Sequence, residues 1–264
     1  MKLRASGFPA FTLRRLARTT STQNVVRAAA RAGANEGFCC VAGEQTEGRG
    51  RQGRTWIAPP GASLLASLLL RRRPLDAPGI PIAAGLAIIE ALLATARVDA
   101  QLKWPNDVVV RGGKLAGLLA EVEPAASTSE QLAIVLGIGL NLRVPEWAPG
   151  IAGVSLHQLT RHIPTADEVL AAWLEGLAAR LDVIAARGLE GLRDEWRRHA
   201  TGLGEVVTAQ TGAGEVVGVA EDIDRDGALI IRTSAGVTRL FAGDVHLTQP
   251  QASQGGETPS GRST

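Results

Sequence analysis

Tyrosine is absent from this 264-residue chain, aromatic residues make up only 3% of it, and there are just two cysteines. Scarcity of aromatics argues against a surface that stacks nucleic-acid bases, which needs several exposed rings. The cysteines, Cys39 and Cys40, are neighbours inside an apolar run. Adjacent strand residues point to opposite faces, so they are expected as reduced, structural thiols. No run approaches the roughly 18 uninterrupted apolar residues of a membrane span, and 132–140 has strand length and is broken by glycines. The first residues carry Arg4, Arg14, Arg15 and Arg18 without an apolar segment, which does not describe a secretory signal. A cytoplasmic location is the expectation. One-signed charge is lacking too: the net charge of +2 is too small to imply a polyanionic partner.

What is present suffices for a packed core. Hydrophobic residues are 45% and charged residues 20%, which excludes a wholly disordered chain, and the length suits one large domain plus a small one. Ser21 precedes an alanine-rich stretch as an N-cap, so a helix is expected at 22–31. Apolar runs at 37–42 and 62–70 read as strands separated by a long polar, glycine-rich loop. Helical spacing of Ile82, Leu86, Ile89 and Leu93 after Pro81 predicts a helix to about 96. Strands are expected at 108–110, 115–121 and 132–142, with Gly112-Gly113 as a hairpin turn between the first two.

A capping box, Thr165 and Glu168, opens a long helix whose stripe includes Leu170, Trp173, Leu177, Leu181 and Ile184. Leu189, Leu192 and Trp196 continue a shorter one. At that spacing the tryptophans belong to packing rather than chemistry. Beyond Gly202-Leu203-Gly204 the pattern becomes β, at 205–209, 214–221, 228–232 and 237–241, a small barrel-like module. The expected division is 1–200, 201–248 and a disordered tail at 249–264, which is poor in apolar residues.

The segment from Gly43 to Trp56 alternates Gly48, Gly50 and Gly53 with Arg49, Arg51 and Arg54. Glycine admits close backbone approach, and guanidinium binds carboxylate or phosphate through paired donors, so such a loop can enclose an anion. Taken alone it is equally a solvated basic segment. It is not a Walker A loop: Gly113-Lys114 is followed by Leu115. Gly137-Ile138-Gly139 is likewise too little for a dinucleotide fingerprint.

Lys103-Trp104-Pro105-Asn106-Asp107 gathers a cation, an amide and a carboxylate around a proline. Lys103 suits a phosphate, Asp107 a ligand N–H or Mg²⁺, and Asn106 either, although a capped turn needs no ligand. If 108–110 and 115–121 pair, Asp107 and Lys114 are expected at the same end of the ladder, near Lys103.

Together these motifs resemble the biotin protein ligases, in a monofunctional form. The resemblance rests on Ser21-Thr22-Gln23-Asn24, the run from Glu44 to Trp56, Lys103 to Asp107, Lys114-Leu115-Ala116-Gly117 and Gly137 to Asn141, and it extends from about residue 21 to 247. It implies an α+β fold: a central mixed sheet flanked by helices, as in class II aminoacyl-tRNA synthetases, joined to a small C-terminal SH3-like β-barrel. It also implies ATP-dependent conversion of biotin to biotinyl-5′-AMP and transfer to a lysine of a biotin carboxyl carrier protein domain of a biotin-dependent carboxylase.

By position, Ser21, Thr22, Gln45, Gly48, Arg49, Lys114 and Gly117 would line the biotin site. Arg51, Arg54, Trp56, Lys103, Asn106 and Asn141 would serve ATP and the adenylate. Arg51, Lys103, Asp107 and Lys114 would be catalytic, and Asp107 would meet Mg²⁺. Some twenty residues precede Ser21, too few for the DNA-binding domain of the repressor members, so no DNA and no membrane partner is expected. A sheet-edge homodimer is common among such enzymes. Lipoate ligation is the nearest rival, and a polynucleotide-binding module using Arg49, Arg51 and Arg54 is the rival from another class.

Overall fold

The computed structural model describes residues 11–147, 152–212, 214–241 and 243–247. Arg4 and the tail at 249–264 lie outside these. The first sheet contains β1 (Thr12–Thr19), β2 (Phe38–Gln45), β3 (Ser63–Arg72), β4 (Gln101–Lys103), β5 (Asp107–Val110), β6 (Gly113–Val122) and β7 (Leu132–Asn141). Their order is β1-β2-β3-β7-β6-β5-β4, with β1 parallel to β2 and every other pair antiparallel. The sheet is therefore mixed, as expected.

Strand β3 explains the layering. Its first eight residues are all buried, which a strand manages only when both faces are covered. Helix α1 (Thr22–Arg31) covers one face, packing Val26 and Ala30 against Cys40, Leu69, Ala133 and Val135. On the other, α2 (Ile80–Ala96) and α4 (Ala166–Arg187) pack against each other and enclose the main core. Cys39 belongs to one apolar cluster and Cys40 to the other, so the neighbours do face opposite ways. Both thiols are free, and burial pushes them up to about 12 and about 11, which leaves them protonated and unreactive.

The segment Pro74–Ala96 is long and apolar enough to cross a membrane by composition, yet most of it is buried within the protein. Trp173 on α4 is fully buried and donates its indole N–H to the Ala84 carbonyl at 3.1 Å, a packing role as the spacing predicted. The capping box forms, with Thr165 N donating to Glu168 at 2.7 Å.

Several elements were not legible in the pattern. Strand β1 carries Arg14, Arg15 and Arg18, which suits a sheet edge where charge discourages further pairing. Strand β4 has three residues, and α3 (Leu156–Leu159) has four. At the β5–β6 hairpin the turn is Arg111-Gly112, both at positive φ (51° and 79°), and Gly113 already opens β6.

After α5 (Glu190–His199) comes a second sheet of β8 (Val206–Thr211), β9 (Gly214–Ile223), β10 (Leu229–Thr233), β11 (Gly236–Leu240) and β12 (Asp244–Leu247). Its order is β11-β10-β9-β8-β12, all antiparallel. The expected barrel is not closed among the described residues, because β11 and β12 stand at opposite edges and the four residues of β12 pair with β8. An open SH3-like sheet is the result.

Polar contacts tie it to the loop after β4 and to α5. Trp104 donates its indole N–H to the Gly227 carbonyl at 3.0 Å, and Asp222 receives Arg193 and Arg197 of α5. Burial pushes the Asp222 carboxyl up, but the hydrogen bonds from the two guanidinium groups outweigh it and leave it below the ordinary carboxylate value.

Candidate functional site

The arginine- and glycine-rich segment is a small, stapled hairpin. Arg49 bridges Thr55, Gly50 N donates to Arg54 O at 2.7 Å, and Trp56 N donates to Gly48 O at 3.0 Å. A turn at Arg51–Gly53 passes through positive φ at Gln52 and Gly53, where glycine carries no steric penalty. Gly48 is obligatory for close approach: a Cβ there would lie 2.3 Å from the Trp56 carbonyl oxygen. Arg51 reaches across and donates to Asn106 Oδ1 at 3.2 Å. Burial lowers the Arg51 guanidinium from its ordinary value, and nearby Asp107 opposes the fall.

Trp56 then lies flat on the sheet. Gly117 and Gly139 pair across β6 and β7, and a Cβ on Gly139 would come within 2.4 Å of the indole Cε2, with one on Gly117 3.0 Å from Cζ3. The two glycines make a floor on which a planar group rests. Lys114 Nζ stands 5.6 Å from the ring centroid, within cation–π range.

Asp107 pairs in register with Lys103 on one side and with Gly117 on the other. Lys114 is opposite Val109, nearer the turn, so it and Asp107 are not at the same end of the ladder as the sequence suggested. Their ion pair forms nonetheless, Nζ to Oδ1 at 2.6 Å. The reason is Gly117: the lysine stem runs over it, Cε passing 3.1 Å from where a Cβ would stand. Lys114 is also braced through its backbone, which donates to Ala152 O at 2.8 Å and accepts from Val154 N at 3.0 Å. Burial lowers the Lys103 ammonium from its usual value; Asp107 partly restores it and Lys114 adds to the fall.

The far end of the site is polar and closed. Gln45 Oε1 accepts from Thr22 N at 2.7 Å and from Thr22 Oγ1 at 2.9 Å, and Thr22 Oγ1 meets Ser67 Oγ at 2.7 Å. Ser21 occupies the N-cap position of α1, but its hydroxyl caps nothing and is buried without a partner. Ser67 went unnoticed in the sequence, although a lone hydroxyl inside a strand buried on both faces is the available signal.

These parts enclose one cleft of about 510 Å³, within the size range of small-molecule sites. Arg49, Arg51, Arg54, Lys103 and Lys114 line it, and among the described residues Asp107 is the one carboxylate that does. Ser21, Thr22, Gln45, Trp56, Asn106 and Gly117 also face it. Two expected residues do not: Gly48 is held behind Trp56, and Asn141 is buried, donating to the carbonyls of Lys114 and Val154 at 3.2 Å each. Asn141 thus braces the lysine strand.

His246 of β12, absent from the expectations because β12 itself was not foreseen, lines the same cleft from the second sheet. Burial lowers its imidazole from the ordinary value, and Lys103 and Arg54 lower it further. Among the described residues no cluster of three or more His, Cys, Asp or Glu side chains can hold a metal. With Asp107 already on Lys114, the donor set suits a cation that arrives on ligand phosphates rather than a resident ion.

The chain matches the family model for the biotin/lipoate A/B protein ligases over residues 15–141 and that for the biotin protein ligase C-terminal domain over 202–247. It is 37% identical over 243 residues to the biotin–[acetyl-CoA-carboxylase] ligase of Mycobacterium tuberculosis, covering 88% of each chain. With the ligase of that name from Paracoccus denitrificans it shares 36% identity over 239 residues, 87% of this chain and 98% of the relative. Among solved structures, biotin protein ligase from Aquifex aeolicus in complex with biotin and ATP superposes with a TM-score of 0.77 at 27% identity, covering 90% of this chain and 99% of that one.

Proposed function

This chain belongs to the biotin protein ligase family, and from that premise we infer that it joins biotin to ATP as biotinyl-5′-AMP and passes the biotinyl group to a lysine of a carrier domain. The observation that carries this reading is the gathering of three arginines and two lysines around one cleft, with Asp107 the one lining carboxylate among the described residues. Attack of the biotin carboxylate on the α-phosphorus brings two anions together, and fixed cations lower the barrier by screening them where charge accumulates. Arg51 and Lys103 are assigned to the carboxylate and phosphates, with Lys114, steadied by Asp107, beside them. The C–O–P linkage forms as the α–β phosphoanhydride breaks, and pyrophosphate leaves with its negative charge matched by the same side chains.

Asp107 and Asn106 are the groups that would hold magnesium brought with the triphosphate, and the ion would supply neutralisation of phosphate charge. Trp56 on its glycine floor is assigned to the adenylate, and the Arg49–Thr55 hairpin to keeping water from the mixed anhydride. An acceptor lysine amine then attacks the acyl carbon, giving an amide and releasing AMP. Residues 1–200 form the catalytic unit in this account, and 201–248 close the nucleotide end through His246. The acceptor is a biotin carboxyl carrier protein domain, and the reaction runs in the cytoplasm without DNA or membrane. Pyrophosphate release from ATP tests this: release that requires biotin supports it, and release driven by lipoate would transfer the chain to the rival activity.

A further inference from the structure

Between the two sheets lies a second cavity, of about 240 Å³, that the reaction assigned above does not use. Trp104 and Val109 line it from the side of the first sheet, Trp196 from α5, and Val207, Ala220 and Leu229 from three strands of the second sheet; all six are buried. Its walls are therefore largely apolar. Trp104 contributes ring carbons, because its indole N–H is spent on the Gly227 carbonyl. An apolar cavity of about 150 Å³ admits benzene, so this one admits a molecule of roughly ten non-hydrogen atoms.

The chamber has one charged end. Lys103 and His246 line it and line the reaction cleft as well, so the two spaces adjoin at these side chains. Gln101 and Thr201 add uncharged polar groups, and among the described residues no carboxylate lines the chamber. Lys103 supplies a charge and His246 an imidazole N–H, both suited to an anion. Buried apolar walls with such an end select a molecule that is hydrocarbon over most of its length and ends in an acid. A nucleobase of similar size would strand its ring nitrogens against those walls.

We propose that this chamber is a regulatory site for a medium-chain aliphatic carboxylate, its chain enclosed between α5 and the second sheet and its acid group on Lys103 and His246. Lys103 is assigned above to the reacting carboxylate and phosphates, so a bound acid occupies a cation that the triphosphate needs. The occupant is an inhibitor competitive with ATP. That consequence rests on the functional reading; occupation of the chamber does not.

Two measurements test the proposal with octanoate as the probe. Calorimetric titration of the nucleotide-free enzyme should show octanoate binding, with hexanoate roughly 10-fold weaker for two fewer buried methylenes. In biotin-dependent pyrophosphate release octanoate should raise the KM for ATP in proportion to its concentration and leave kcat and the KM for biotin unchanged. Ala220→Leu and Leu203→Phe, each adding volume to the chamber wall away from the cleft, should abolish octanoate binding while both substrate KM values stay at the wild-type level. Octanoate that does not bind the wild-type enzyme, that competes with biotin instead of ATP, or that binds both variants as well as wild type would overturn the proposal. Pyrophosphate release that does not need biotin would sink the functional reading, and the calorimetric comparison of wild type with the two variants would still decide whether the chamber takes the acid.

Discussion

Gly139→Ala is the sharpest perturbation the cleft offers. The glycine is not at positive φ, so alanine costs nothing through the backbone; its whole effect comes from one methyl group aimed at the Trp56 indole. That methyl would stand 2.4 Å from Cε2, 2.7 Å from Cζ2 and 2.8 Å from Cδ2. Carbon atoms rest at about 3.5–4.0 Å, so the ring must retreat by more than about 1 Å. Overpacking of this kind destabilises by about 1–3 kcal/mol, which a fold of this size survives. Displacement of a positioned group by about 1 Å costs roughly 100-fold in rate, so kcat/KM for ATP in pyrophosphate release should fall by about that factor.

Gly117→Ala, whose Cβ would be 3.0 Å from the ring and 3.1 Å from Lys114 Cε, should cost less. In a Trp56→Ala background Gly139→Ala should add little, because the two changes act through one contact. Undiminished kcat/KM in Gly139→Ala, or full additivity with Trp56→Ala, would refute the role given to the glycine floor.

Arg51→Ala removes the hydrogen bond to Asn106 and a charge over the cleft, so the adenylate should leak roughly 10- to 100-fold faster, read as free biotinyl-AMP after rapid filtration. Trp173→Ala should lower unfolding free energy by about 3–5 kcal/mol in denaturant titrations while leaving the KM for biotin unchanged in the folded fraction. His246 is held below the ordinary histidine value in the free cleft by burial, Lys103 and Arg54. A triphosphate reverses the cationic contribution and favours imidazolium, so ATP binding should take up protons and the KM for ATP should fall as pH drops through the histidine range. His246→Gln should flatten that pH dependence; an unaltered profile would exclude the residue.

The parts of the fold legible in the sequence were those with long, regular patterns: the apolar stripe of α4, the capping box at Thr165 and the doubly buried β3. Strand β1 was hidden because an edge strand bearing Arg14, Arg15 and Arg18 has no apolar alternation, and β12 because four residues carry too little pattern. At the site, residue types announced the cations, and geometry supplied what spacing did not. The register shift at Val108/Val109 sets Lys114 opposite Val109, two residues from Asp107 and so on its face of the sheet, and the missing side chain at Gly117 lets the lysine reach back to the carboxylate. Ser67 and His246 escaped notice because each is a single polar residue whose meaning depends on what the fold places beside it. Asn141 was attached to the adenylate by its position in a motif; in the fold its Nδ2 donates to two carbonyls behind the cleft wall, while its Oδ1 is buried without a partner.

The most direct measurement of the central claim follows ATP labelled at the α-phosphate through a single turnover, with biotin present and a carrier domain added second. The account predicts labelled biotinyl-AMP held by the enzyme, then its conversion to labelled AMP as one carrier lysine gains biotin. Label that stays in ATP until lipoate is supplied, or that becomes attached to the enzyme itself, would contradict it.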